Sequence, residues 1–504
     1  MVDRDTVLTA GTYAVDRPLV VREAVLTLEP GTHLVFSQGM GLLVERGGGL
    51  LALGDSLNPV ILEGDTWTGI QLTAQEAGSR LSYCVIRGAG MPAALQVYSS
   101  GRSALVHSEI RQNAGFGVFL ARNARLQEFH HNRIQENGWY PVLCQDLESL
   151  ENMDSTNLLG QGDRSGIWVD QSVEVRRPQR FRLGFQNPLH IDGDLWIRDT
   201  LRLENTVLRV QGQVGVAAGG VFWARQVRLE PLQEHWGGVD VAGGILRWRQ
   251  VVLLYAGSLA QAAVRVRHGS PGLLWCGGTI VEPGGSGLDL ATPPDSLWEV
   301  QVLHAGAVPV VLRNARILAS PLRLDLTQNP SPWIKVTSAT VTESDTWRSP
   351  GAPVVFTGNV VLSASSGTPV ELYLLPGLEL RFYEYAGFLV GSQGPARLVA
   401  RGVRFTSRDL EDPKWRSLRF GPETLEGTRL DSCVLEYGGH VYTQADSGIV
   451  VITDTQAPVL RGNVFRYSHT FGVYLRGSAN EAAYRQEILQ HNEFMDNALG
   501  DVGP

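Results

Sequence analysis

The chain has 504 residues, of which 43% are hydrophobic and 19% charged, with 57 glycines, 25 prolines and a formal net charge of −8. This balance excludes a globally disordered chain, because the apolar content is that of a folded protein and the glycines and prolines supply frequent turns. The net negative charge makes nucleic acid a poor partner, since such a surface repels a phosphate backbone rather than attracting it.

Residues 6–62 are short apolar runs broken at Gly or Pro: Leu19-Val-Val, Ala24-Val-Leu-Thr-Leu, Thr32-His-Leu-Val-Phe, Gly41-Leu-Leu-Val and Pro59-Val-Ile-Leu. Alternation at period two over so few residues predicts strands and leaves no room for a long helix. Breaks such as Glu29-Pro-Gly lack the two-residue form of a hairpin, so successive runs are expected to wind onward rather than fold back.

From residue 79 to 137 the pattern lengthens to a coil of about two dozen residues, and Ile86, Ile110 and Ile134 are evenly spaced along it. Equal spacing predicts a parallel solenoid whose identical faces stack coil on coil. Asn113, Asn132 and Asn137 fall at the corners, where amides can stack as ladders between coils. Residues 143–180 are acidic and amide-rich, without a clear period, and read as a junction.

The chain then repeats itself. Glu63-Gly-Asp-Thr-Trp-Thr-Gly-Ile-Gln-Leu followed by Ser79-Arg-Leu-Ser-Tyr-Cys-Val-Ile returns as Pro413-Lys-Trp-Arg-Ser-Leu-Arg-Phe followed by Thr428-Arg-Leu-Asp-Ser-Cys-Val-Leu. Leu28-Glu-Pro-Gly-Thr-His-Leu-Val-Phe pairs with Leu374-Leu-Pro-Gly-Leu-Glu-Leu-Arg-Phe, and His131-Asn132 with His491-Asn492. A weaker copy contains Trp236-Gly-Gly-Val-Asp-Val, and its Pro188-Leu-His-Ile aligns with Pro18-Leu-Val-Val. Three diverged modules follow: residues 1–142, a junction at 143–180, a diverged module at 181–332 and a third at 333–504 with an extra stretch at 446–454. Together they are expected to form one continuous elongated solenoid, with no further domain after it.

Every basic residue is arginine except Lys335 and Lys414, which reads as a compositional bias unless the arginines cluster in space. Cys84, Cys144, Cys276 and Cys433 show no Cys-x-x-Cys and no His at metal spacing, and Cys84 and Cys433 occupy equivalent apolar positions. Buried small side chains are expected, with no disulfide, no metal site and no cofactor. No apolar run is long enough to span a bilayer, and the polar start Met1-Val-Asp-Arg-Asp lacks the pattern of a signal peptide.

With these motifs in hand, the Leu-x-Pro-Gly-x-x-Leu-x-Phe, Gly-Leu-x-Val, Trp-x-Gly-Ile and Ser-x-Leu-x-Tyr-Cys-x-Ile segments resemble the right-handed parallel β-helix proteins exported by bacteria, especially surface lipoproteins of the Bacteroidota type. The resemblance implies an all-β, right-handed parallel β-helix of roughly 20 coils and an extracytoplasmic, secreted or cell-surface location. It carries no activity with it.

β-Helices also host polysaccharide lyases and glycoside hydrolases, so catalysis is the alternative. The chain has no Asp-Asp, no Asn-Thr-Asp and no Asp-Pro-His-Glu, and its Asp412-Pro413 reads as a turn. No catalytic residue is assigned. The candidate ligand-binding set is His131, Asn132, Arg133 and Glu136 with the aromatic pair Trp139 and Tyr140, beside His130, a combination suited to sugar rings. Asp146, Glu148, Glu151 and Asp154 could supply oxygen ligands for Ca²⁺ but lack an EF-hand's Gly and terminal Glu, so a solvated loop is expected. Trp67, Trp236 and Trp415 open equivalent strands and are expected to be packed corner residues rather than a binding stripe. The function expected is a non-catalytic binding or scaffold surface, for glycans or a surface protein.

Overall fold

A computed structural model describes the chain except residues 74–77, 100–101, 161, 365–367, 410–414 and 441–446. Asp412, Pro413, Lys414 and Asp446 therefore lie outside the described residues. The chain is all parallel β, 52% strand and 5% helix, wound as a β-solenoid of about 19 turns. It divides into two compact units, Met1–Val239 with Arg247–Tyr255 and Asp240–Leu246 with Ala256–Pro504. The division falls inside the stretch 181–332.

In the first unit each early coil contributes three strands to three faces. One coil is Ser103–Val106 on face I, Glu109–Arg111 on face II and Phe116–Leu120 on face III. The next is Leu126–His130, Arg133–Gln135 and Val142–Cys144. Each strand pairs in parallel with its counterpart one coil on, so that Ile86 pairs with Ile110 and Ile110 with Ile134. All three isoleucines are fully buried. Inward residues thus form apolar columns, and that column order is what the even spacing in the sequence reports.

The corners explain the polar repeats. Tyr83, His107 and His131, at the bend between faces I and II, have φ near +50° to +57°, as do Gln112 and Glu136 at the next bend. This left-handed backbone turns the chain sharply, at a cost to any residue with a Cβ. Behind the bends run amide ladders. Asn113 donates through Nδ2 to Asn137 Oδ1 at 2.9 Å, and Asn132 to Asn157 Oδ1 at 3.0 Å. Ser108 N–H donates to Asn132 Oδ1 at 3.0 Å, and Cys84 N–H donates to Ser108 Oγ at 3.1 Å, so Cys84 ends the same column. Among the described residues of 143–180, Ile167–Val169 extends face III beyond Val142–Cys144.

Later coils in this unit carry long strands, Thr200–Val210 paired with Val221–Pro231. Each still bends at one left-handed residue, Asn205 in the first and Gln226 in the second.

The second unit again has three faces. Phe388–Val390 pairs with Leu418–Phe420, Val370–Leu374 with Ala396–Arg401, and Arg404–Ser407 with Val434–Glu436. Its amide column matches that of the first unit: Cys433 N–H donates to Asn463 Oδ1 at 2.9 Å, and Asn463 Nδ2 donates to Asn492 Oδ1 at 2.9 Å. Here the segment before His491-Asn492 is helical, Ala482–His491, where the first unit has a strand before His131-Asn132.

The three repeated tryptophans are buried. Trp67 stacks on Phe36 at 4.3 Å and 9°, and its indole N–H donates to the Arg87 carbonyl at 2.9 Å. Trp415 stacks on Phe382 at 4.9 Å and donates to the Glu436 carbonyl at 2.8 Å. Trp236 donates to the Leu254 carbonyl at 2.9 Å. The repeat therefore records packing. All four cysteines are free, with Cys84, Cys144 and Cys433 buried and Cys276 exposed.

Candidate functional site

The outer side of face III in the first unit gathers side chains that the core has no use for. Inward positions on this face are fully buried aliphatics such as Val118, Ile167, Ile191, Leu208 and Val210. Because successive side chains alternate across a strand, the residues between them point outward. The ladder registers put these in one row: Gln96, Phe119, Leu143, Trp168, His190, Arg209 and Glu230. The row passes from amide through aromatic to charged within one face.

Its aromatic part is an apolar patch outside the core. Phe119, Tyr140 and Trp168 pack on buried Ala93, Phe116 and Leu143. Tyr140 meets Trp168 at 4.6 Å and His190 at 5.1 Å between ring centroids. Trp139 stands edge-on to Phe116 at 4.8 Å and remains 48% exposed. His190 lies at the charged end of the patch, with Nε2 2.8 Å from the Ser165 carbonyl oxygen. Burial pushes its imidazole down to about 4, so the ring is neutral at neutral pH; Nε2 is then the donor and Nδ1 a lone pair without a protein partner.

Just before His190 the chain bulges. Gly184 pairs with Thr206 and Leu189 with Leu208, so residues 185–188 loop out of register. Asn187 anchors the loop inward through Nδ2, at 2.7 Å from the Asn157 carbonyl and 2.9 Å from that of Leu183. Phe185 is thrown outward and is 55% exposed. The bulge forms one wall of an open cleft of ≈530 Å³ bounded by Gly160, Ser165, Phe185, Gln186, Arg209 and Arg228. Arg209 Nε is 2.9 Å from Glu230 Oε2, and Arg228 pairs with the other oxygen of the same carboxylate. Two guanidinium groups share one buried carboxylate, so the pair leaves a positive wall on the cleft.

The six residues that the sequence singles out fall in different places. Trp139 and Tyr140 join the patch on face III. His131 is exposed at the bend between faces I and II, Arg133 is exposed on the outer side of face II, and Glu136 is exposed at the bend toward face III. Asn132 is 2% exposed, and its Nδ2 also donates to the Leu105 carbonyl at 2.7 Å, so it is a structural amide without access to a ligand. Trp168, His190, Arg209 and Phe185 escape sequence reasoning. The available signal was the alignment of Pro188-Leu-His-Ile with Pro18-Leu-Val-Val, which puts His190 in the row that Val20 begins.

The acidic segment does not gather an oxygen cage. Asp146 Oδ1 accepts from Ser149 N and Oγ at 2.8 and 2.7 Å, and Asp154 Oδ1 accepts from Thr156 N and Oγ1 at 3.0 and 2.6 Å. Glu148 pairs with Arg177, and Glu151 with Arg125 at 2.7 Å.

Elsewhere the same clamping of acids by arginine recurs. Glu63 is held by Arg87 and lies 2.8 Å from His33 Nε2, Glu436 is bracketed by Arg404 and Arg466 at 2.7 Å each, and Asp289 is held by Arg313 at 2.8 and 2.7 Å. Arg80 grips both oxygens of Glu128 at 2.8 and 3.1 Å. The Arg87 hydrogen bond holds the Glu63 carboxyl below its ordinary range, and the Arg80 hydrogen bond does the same for Glu128, each against a smaller effect of burial. A carboxylate held this way is a poor proton donor at neutral pH.

No model of a known protein family matches the chain, and no curated protein matches it. Among the described residues no helix is long and apolar enough to cross a membrane.

Proposed function

We propose that the protein is an exported β-solenoid that works as a non-catalytic binding surface for glycans, with the outer row of face III in the first unit as its binding strip. The observation that carries this reading is the continuity of Trp139, Tyr140 and Trp168 with the arginine-walled cleft at Phe185, Arg209 and Arg228. Flat rings beside guanidinium groups suit a sugar chain that carries carboxylate groups: rings stack on the apolar faces of sugars while arginine forks donate to carboxylates. The arginine clamps on Glu63 and Glu128 support binding over turnover, because they hold both carboxyls below their ordinary range, and Glu230 is occupied by Arg209 and Arg228. Export is the part that rests on the resemblance of the Pro-Gly and Trp-x-Gly motifs to exported bacterial β-helix proteins.

The test is a panel of acidic and neutral oligosaccharides, with affinity measured by calorimetry and turnover by unsaturated products and reducing ends. Binding of an acidic oligosaccharide that weakens by about tenfold with Trp168→Ala or Arg228→Ala is expected, equivalent to about 1.4 kcal/mol. Robust turnover, or wild-type affinity in both variants, overturns the proposal.

A further inference from the structure

A second cluster stands apart from face III, at the bend between faces I and II, and does not depend on the glycan reading. His107 and His131 occupy the same bend in successive coils, and both have left-handed backbone, φ 50° and 57°. Their rings stack at 4.8 Å and 18°, and Tyr83 continues the stack on the other side of His107 at 4.9 Å and 6°. His130, the last residue of strand Leu126–His130, adds a third imidazole, with its Nδ1 3.0 Å from His131 Nδ1. One nitrogen from each of the three rings lies within 4.8 Å of the others, and among the described residues this is the cluster of metal-ligating side chains.

We propose that His107, His130 and His131 form a binding site for a divalent transition-metal ion of the zinc and copper class. The separation fits. Imidazole nitrogens bind zinc at about 2.0–2.1 Å, so two of them on a tetrahedral ion lie roughly 3.3 Å apart. The His130–His131 pair is already within a few tenths of an ångström of that, and His107 and His131 reach solvent, where ring rotation can draw the third nitrogen in. Three neutral nitrogen donors select zinc or copper over calcium or magnesium, which take oxygen.

The surroundings favour this use over a solvated corner. Glu128 Oε2 is 3.7 Å from His130 Nε2, on the side of the ring opposite Nδ1. At that distance the carboxylate acts by charge rather than by a hydrogen bond, which favours the proton on Nε2 and leaves the Nδ1 lone pair for the metal. The nearby cation, Arg80, is neutralised by its two-pronged bond to Glu128. Thr156 Oγ1 accepts from the His131 backbone N–H at 2.9 Å, which fixes the bend from the next coil. Three histidines leave a coordination position open to solvent for water.

The sequence expectation of no metal looked for ligands at neighbouring positions of one segment. Here the coil period supplies the spacing, since His107 and His131 are related as Ile110 and Ile134 are.

The experiment is calorimetric titration of the full chain with Zn²⁺, paired with electron paramagnetic resonance of the Cu²⁺ form. One equivalent of Zn²⁺ should bind, and the Cu²⁺ spectrum should show coupling to imidazole nitrogens. His107→Asn and His131→Asn keep a residue that tolerates left-handed backbone. Each should weaken Zn²⁺ binding by at least about tenfold, since loss of even an outer partner of a metal-bound histidine costs 10- to 100-fold. His235→Ala, at an exposed histidine outside the cluster, should leave binding unchanged. Absence of one-equivalent Zn²⁺ binding, a Cu²⁺ spectrum without imidazole nitrogen, or wild-type affinity in His107→Asn and His131→Asn overturns the proposal.

Discussion

Replacing Trp67 by alanine should destabilise the first unit by about 4 kcal/mol. The indole is fully buried, stacked on Phe36 at 4.3 Å, and donates to the Arg87 carbonyl at 2.9 Å. Deleting a buried aromatic side chain costs about 3–5 kcal/mol, and a buried acceptor left unpaired costs about 1–3 kcal/mol more. Water entering the new cavity recovers much of the second cost, which places the sum near the middle of the first range. Trp67→Phe keeps a ring against Phe36 but loses the N–H, so about 2 kcal/mol is expected. Because a solenoid coil is stabilised by its neighbours, the loss should be concentrated nearby. Urea unfolding gives the total, and amide hydrogen exchange of Thr32–Phe36 and Cys84–Ala89, the strands flanking Val60–Trp67, gives its location. Trp415→Ala should cost a similar amount, and Gly438→Ala about 1–3 kcal/mol, because its added Cβ would come within 2.6 Å of the Trp415 ring. An unchanged midpoint in Trp67→Ala, or exchange accelerated equally in all coils, would refute the packing argument.

Asn132→Ala should cost about 1–3 kcal/mol by stranding the buried Ser108 N–H and Leu105 carbonyl, and a double-mutant cycle with Asn157→Ala should be strongly non-additive; additivity in that cycle would mean that the amides act singly. The folded-state depression of Glu63 gives a signed pH effect: its stabilisation is complete above the ordinary value near 4.5 and is lost as pH falls through the lower folded value. Glu63→Gln should therefore flatten the acid side of a melting-temperature profile below about pH 4.5, and an unchanged slope would contradict it. Burial pushes the Cys84 thiol up to about 12 and the Cys433 thiol to about 11, so in the native protein a thiol reagent should label Cys276 and spare both, as mass spectrometry of digested peptides will read.

Packing was legible in the sequence because packing repeats. Trp67 and Trp415 each stack on a phenylalanine, Phe36 and Phe382, and Asn132 and Asn492 each donate to a leucine carbonyl of the preceding coil, so a residue that must fit the adjacent coil is held to the same type at the same spacing. The row on face III repeats nothing. Its members Phe119, Leu143, Trp168, His190, Arg209 and Glu230 come from six coils of unequal length, and each reads locally as the middle residue of an ordinary alternating run. Outward residues escape the fit that makes inward ones recognisable. Trp139 and Tyr140 stood out because they lie in a corner loop, where two adjacent aromatics break the local pattern. The histidine cluster fell between these cases: His107 and His131 obey the coil period, but their chemistry appears only when the bends are stacked.

The parallel register also limits how this chain can change in length. Adding one residue within Glu109–Arg111 would swing every later side chain of that strand to the opposite face and set Ile110 outside its column. Adding an entire turn between two existing ones would leave Ile86, Ile110 and Ile134 each with an isoleucine-like neighbour above and below. Growth and loss are thus quantised in turns, with fractional additions confined to places where the backbone can step out and return. Residues 185–188 are such a place, for the chain leaves register after Gly184 and recovers it at Leu189. A lineage built this way would gain or lose whole turns, and new chemistry would enter through its bends and bulges.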